Sequence, residues 1–276
     1  MFVLHQLQRP LLALLFAVCT GGAISGAAAA QYEPQVGQEG KDVIWVPTPL
    51  PLIEKMLDAA KATPNDFVID LGSGDGRTVI AAAKRGIRAL GIEYNPDMVE
   101  LSKQNAAKEG VSARASFVKA DIFEADFSQA TVITMYLLPQ LNLKLRPKIL
   151  DLKPGTRIAS HSFTMSEWSA DETITSQDNS SYSRTAYLWI VPAKVEGVWQ
   201  MTQGELALKQ TFQMLSGTLK AGGSSTAISN AKLRGDQITF TAGDADYTGH
   251  VSGNSMQGSF RGNGGGNWNA SRLGGR

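Results

Sequence analysis

The string Asp70-Leu71-Gly72-Ser73-Gly74-Asp75-Gly76-Arg77 has the make-up of a turn that grips a nucleotide. Glycines let the backbone reverse sharply and come close to a ligand, and the helix start that follows offers N–H groups without partners. Glu93 stands about 20 residues further on, at the end of the next apolar run, where a carboxylate accepts both hydroxyls of a ribose. Asp121-Ile122 follows the third such run. An acid there accepts from an exocyclic adenine amine while the next N–H reaches a ring nitrogen, although a solvated loop aspartate looks the same. The spacing also excludes one large class: nicotinamide dehydrogenases use G-x-G-x-x-G, and the third glycine of that pattern falls on Arg77.

The acid ahead of the first glycine, Asp70, is similar to that of methyltransferase turns, where it lies near the amino-acid end of S-adenosylmethionine (SAM). On that reading SAM is the cofactor, and its expected contacts are Asp70, Gly72, Ser73, Gly74, Gly76, Glu93, Asp121 and Ile122. The fourth apolar run leads into Thr134-Met135-Tyr136-Leu137-Leu138-Pro139, which puts Tyr136 beside the methyl-bearing sulfur. Methyl transfer is an in-line displacement, so alignment of a neutral nucleophile matters more than a strong base. Tyr136 is expected to position an amine or shape the pocket, with a plain aromatic core residue as the competing reading. Pro139 and Asn142 join it as expected acceptor contacts, with Lys144 on the same helix. His161, beyond the fifth run, is the second catalytic candidate, as base or substrate contact, against a purely structural histidine. His5, His161 and His250 lack the cysteine or acid spacing of a metal site, so no metal is expected.

All these residues must converge on one edge, and the pattern between them says how. Thr48-Pro49 reads as an N-cap followed by a first-turn proline, with Ile53, Met56, Leu57 and Ala60 at helical spacing. Strands are expected at Asp66 to Leu71, Arg88 to Ile92, Ser116 to Val118, Thr131 to Met135 and Arg157 to Ser160. Helices between them cover Thr78 to Lys84, Asn95-Pro96 to Gly110 and Leu138 to Leu150. The alternation predicts an α/β fold, a doubly wound, mostly parallel sheet of seven strands that is Rossmann-like. Thr173 to Thr175 and Ala186 to Val191 are expected to end it as an antiparallel hairpin.

Met1 to Ala30 reads as an export signal: one formal charge at Arg9, an apolar stretch Leu11 to Cys19 and a small-residue site at Ala28-Ala29-Ala30. An uncleaved anchor is the alternative, and both place the remainder outside the cytoplasm, with a periplasmic location expected. Cleavage removes the one cysteine and hence any disulfide or thiol chemistry, and leaves 25 basic against 25 acidic residues, with no sign of nucleic-acid binding. The expected division is a signal at 1–30, a polar lead-in at 31–42, the α/β domain at 43–195 and a β module at 196–276. In that last module short runs such as Leu206 to Phe212, Gln237 to Thr241 and Tyr247 to Val251, separated by glycine, asparagine and aspartate, predict a small antiparallel meander.

Four strings together carry a more specific likeness: Val46-Pro47-Thr48-Pro49, Val68 to Arg77, Thr134 to Pro139 running into Leu141 to Pro147, and Ser160-His161 through Trp168. Over about Val43 to Pro192 the chain resembles bacterial class I methyltransferases related to the mitochondrial lysine methyltransferases acting on adenine nucleotide translocase and on the c subunit of ATP synthase. The resemblance implies transfer to a lysine ε-amine or another amine, on a protein or small molecule. It also shows two departures: Ser162 replaces an acid that relatives often carry after the Ser-His pair, and the mitochondrial enzymes lack the β module. An exported binding protein whose methyltransferase fold is idle is the alternative function.

Overall fold

The computed structural model describes residues 32–176, 183–262 and 264–274. The segment expected to be an export signal, with its cysteine, lies outside these residues. A helix α1 (Leu50–Ala59) precedes the alternating part of the chain: β1 (Phe67–Leu71), α2 (Arg77–Lys84), β2 (Arg88–Glu93), α3 (Pro96–Lys108), β3 (Ala115–Lys119), β4 (Val132–Met135), α4 (Pro139–Leu150) and β5 (Arg157–His161). Two further strands, β6 (Glu172–Thr175) and β7 (Thr185–Ile190), complete a seven-stranded sheet in the order β3-β2-β1-β4-β5-β7-β6. All neighbours from β3 to β5 are parallel, while β7 runs antiparallel to both β5 and β6, as the hairpin expectation had it.

Both faces of the central strands are covered, which is why β1, β4 and β5 are buried continuously rather than at alternate residues. Val68 and Val132 point toward the cluster formed with α1 and α2, through Leu52, Leu57, Val79 and Ala82. Their neighbours Ile69 and Ile133 point the other way, toward Leu145 and Ile149 of α4 and the indoles of Trp168 and Trp189. The chain order reverses between β1 and β4, so the loops leaving their carboxyl ends diverge and leave a crevice there.

The rest of the chain forms β8 (Gly197–Met201), β9 (Gly204–Thr211), β10 (Met214–Ala221), β11 (Ser224–Arg234), β12 (Gln237–Ala242), β13 (Ala245–Ser252), β14 (Ser255–Arg261) and β15 (Gly266–Leu273). The expected meander closes on itself, β15 pairing with β8, into an eight-stranded barrel. Its interior is filled by Trp199, Phe240, Tyr247 and Trp268, with the Phe240 and Tyr247 rings stacked 4.5 Å apart, so it is a packed core. The barrel docks through Phe212, whose ring stacks on Trp168 at 5.9 Å, and through Gln213, which donates from Nε2 to the Ser169 carbonyl at 2.8 Å.

Three local features differ from the sequence reading or add to it. Helix α1 begins one residue late: Pro49 occupies the N-cap and no side chain caps it, because the Thr48 hydroxyl is turned to His161. Strand β11 was not anticipated because Asn230, at φ 50°, shifts its register between Ser229 and Lys232 and breaks the two-residue period of its buried side chains. The end of the polar lead-in, residues 38–42, continues into 43–48 to form one wall of the crevice. Among the described residues no helix is long and apolar enough to cross a membrane, and no group of three or more histidine, cysteine or acidic residues could hold a metal.

Candidate active site

The glycine turn spans the crevice mouth. Gly72, Gly74 and Gly76 sit at φ 77°, 54° and 82°, a left-handed series that side chains resist. The turn is anchored to β2, the N–H groups of Gly72 and Ser73 both donating to the Ile92 carbonyl at 2.9 and 3.1 Å. The three glycines have different surroundings. A side chain at Gly72 would press on Leu137, and one at Gly74 would strike the Trp45 indole at 2.6 Å. One at Gly76 would meet Phe117 at 2.8 Å and Ser102 at 2.9 Å, so this glycine serves the packing of α2 on β3 and α3 rather than facing the crevice. Ser73 is likewise turned inward against Gly91, buried, and its hydroxyl has no partner among the described residues. Of the expected cofactor contacts in the turn, Asp70 and Gly72 line the crevice, while Ser73, Gly74 and Gly76 do not.

The three expected acids do converge on it. Glu93 is braced by two backbone groups, Gly74 N–H donating to Oε2 and Asn95 N–H to Oε1, each at 2.9 Å. A carboxylate has about four lone-pair sites, so the fixed group retains capacity for two hydroxyls. Asp70, at the end of β1, is buried and accepts from the Thr134 hydroxyl at 2.6 Å. Loss of solvent pushes its carboxyl up to about 7, and the negative charges of Glu93 and Asp75 add to the effect against the Thr134 bond. Asp121 is the opposite case: the Lys41 ammonium hydrogen-bonded to it and the Phe123 N–H, at 2.9 Å, hold its carboxyl below the usual range. Ile122 lines the crevice beside it, and the aromatic ring of Tyr94 lies 5.0 Å beneath the Lys41 ammonium.

The wall formed by residues 38–48 supplies contacts that the sequence reading missed. Lys41 spans from Asp42 to Asp121, Trp45 lies on Gly74, and the Thr48 carbonyl accepts from Arg77 Nη1 at 3.5 Å. Arg77 is itself clamped by Asp75, with its Nη2 2.6 Å from Oδ2. Only the Val-Pro-Thr-Pro string signalled that this stretch had a task. Lys41 and Trp45 are single residues in an aperiodic segment.

Tyr136 leaves β4 at the crevice, its ring packed against the His161 imidazole with centroids 3.7 Å apart and the planes tilted by 34°. His161 is fully buried. Its Nε2 faces the Ser183 carbonyl at 2.9 Å and its Nδ1 the Thr48 hydroxyl at 3.0 Å. A carbonyl only accepts, so the neutral ring carries its proton on Nε2 and takes the Thr48 O–H at Nδ1. Both ring nitrogens are engaged by groups of the protein itself. Asn142 is also fully buried, and its Nδ2 donates to the Phe163 and Thr164 carbonyls at 3.3 and 3.2 Å, pinning the loop after β5. Pro139 is exposed at the first turn of α4, and Lys144 lies 3.6 Å over the Phe123 ring; neither lines the crevice.

The chain is similar to known methyltransferases. A family model described as "ANTKMT methyltransferase domain" matches residues 70–172. A protein-lysine N-methyltransferase of Saccharolobus islandicus is 43% identical over 152 residues, which are 54% of this chain and 94% of that protein. The lysine N-methyltransferase of Homo sapiens named for the ATP synthase c subunit is 33% identical over 173 residues, 62% of this chain and 73% of that protein. Among solved structures, an RNA methyltransferase from Salinibacter ruber in complex with S-adenosyl-L-homocysteine is 45% identical, covering 54% of this chain and 96% of that one, with a TM-score of 0.51. The methyl donor is SAM, and the braced Glu93, the buried Asp70 and the Asp121 edge fit its ribose, ammonium and adenine chemistry. The chain belongs to the family of SAM-dependent protein-lysine methyltransferases.

Proposed function

We propose that this protein methylates a lysine ε-amine on a protein, with the amine entering past Tyr136. The observation that carries the reading is the crevice itself, which is lined both by the acids and by an aromatic and aliphatic wall of Val46, Pro47, Tyr136, Leu137 and Leu141. An apolar wall disfavours the ammonium form, so an incoming lysine is held as the neutral amine that in-line displacement needs. When bound, SAM supplies the electrophilic methyl group. The chain's own contribution is placement. Asp70 takes the cofactor's ammonium, Glu93 its ribose hydroxyls and Asp121 its adenine amine, while Tyr136 aligns the acceptor.

The relatives that support a lysine acceptor are named for protein substrates, including the ATP synthase c subunit and adenine nucleotide translocase. The Salinibacter ruber protein is named for RNA. The test therefore offers tritiated SAM to a cell-envelope protein fraction and to total RNA. Label recovered as methyllysine supports the reading, and label confined to RNA overturns it. The envelope fraction is chosen because we infer export from the charge, apolar stretch and alanine site of residues 1–30. Protein found only in the cytoplasm of the producing cell would overturn that part.

A further inference from the structure

We infer that Thr48 is a positioning residue for methyl transfer, holding Tyr136 in place through His161. The inference rests on the amine-transfer reading above, but the contacts stand on their own. Thr48 lies at the end of the 38–48 wall and is buried, 113 residues from His161 along the chain. Its hydroxyl meets His161 Nδ1 at 3.0 Å, and it is not needed for α1, whose N-cap position is filled by Pro49. With Nε2 directed at the Ser183 carbonyl, the imidazole is held at both nitrogens and lies as a plate against the Tyr136 ring. Phe163 flanks Tyr136 with ring centroids 6.1 Å apart.

Thr48 also faces the cofactor side, since its carbonyl accepts from Arg77, the residue that ends the glycine turn. One residue thus joins the cofactor turn to the wall along which the acceptor arrives. Removing the hydroxyl leaves a buried imidazole nitrogen without its donor and lets the ring turn about its own axis. Tyr136 then loses a fixed backing. In-line transfer is sensitive to such displacement, since small misplacements in a near-attack geometry lower rates by large factors.

The isosteric Thr48→Val and the conservative Thr48→Ser separate this role from general stability. Expected for Thr48→Val is a fall in kcat of about tenfold, the scale of one buried hydrogen bond, with the Kd for SAM within about twofold of wild type. Thr48→Ser is expected to recover most of that loss. In nitrogen-resolved NMR of the full chain, wild type should show a protonated Nε2 and an accepting Nδ1 at His161. Thr48→Val should shift those signals together with the Tyr136 ring resonances. Wild-type kcat in Thr48→Val, or a serine variant as slow as the valine one, would overturn the inference. If wild-type protein binds SAM but transfers no methyl to lysine, the amine-transfer reading fails. In that case unmoved His161 and Tyr136 signals in Thr48→Val overturn the positioning role, and shifted ones support it.

Discussion

Replacing Asp70 by asparagine should remove a pH dependence that the burial of its carboxyl creates. The group sits at 6% exposure beneath the glycine turn, its carboxyl raised from 3.8 to about 7 chiefly by loss of solvent. An ammonium partner favours the ionised form, whose fraction grows from about 0.09 at pH 6 to about 0.76 at pH 7.5. If only that form grips SAM, and only through SAM's ammonium, the apparent Kd should fall about five- to sixfold over this interval, the roughly eightfold gain in carboxylate being offset in part by the α-amine, which begins to lose its proton near the upper end. The same shift acts on the unliganded fold with the opposite sense. The folded protein keeps the Asp70 proton up to about pH 7 while the unfolded chain releases it near 3.8, so stability declines across that window and the whole cost is present above it. That cost is at most about 4 kcal/mol. Asp70→Asn should therefore bind SAM weakly at every pH, with a flat profile, yet melt higher than wild type at pH 8 in the absence of ligand. Titration calorimetry from pH 6 to 7.5 and thermal melts at pH 5 and 8 test both. A flat wild-type profile, or an asparagine variant that keeps the slope, would refute the assignment of Asp70 to the ammonium.

Three further outcomes follow from the packing. Gly76→Ala places a β-carbon in a left-handed position against Phe117 and Ser102, and should cost at least about 1–2 kcal/mol of stability in urea titrations, with or without SAM. Phe212→Ala removes the ring that stacks on Trp168 and lies beneath Arg146, and should cost about 1–3 kcal/mol while shifting tryptophan emission to the red; an unchanged melt would show that barrel docking does not support the loop after β5. Lys41→Ala frees Asp121 and the wall across the crevice, so SAM should dissociate faster in stopped-flow chase experiments, whereas an unchanged rate would mean that the wall does not retain the cofactor.

What the sequence made legible is what local chemistry dictates. A glycine-rich turn, an acid at the end of each of the first three apolar runs and the change from helical to alternating periodicity marked the sheet, its switch point and the positions of Asp70, Glu93, Asp121 and Tyr136. Residues whose role depends on a partner far along the chain were harder. Thr48 resembled a helix cap because a threonine before proline usually is one, and nothing nearby pointed to an imidazole 113 residues away. Asn142 and His161 stood in the right strings, yet burial decided their roles. Gly76 belonged to the glycine pattern but serves the contact of α2 with Phe117. Barrel closure was hidden for a related reason: the pairing of β15 with β8 spans the whole module, and a meander and a barrel share the same local signals.

The central claim is that this chain moves a methyl group from SAM to a lysine side chain, and methyllysine analysis after incubation with tritiated SAM tests it most directly. Purified full-length protein with a cell-envelope protein fraction should yield label that co-migrates with methylated lysine after acid hydrolysis, and Glu93→Ala should abolish it. Label that is absent despite measurable SAM binding, or that persists in Glu93→Ala, would contradict the account.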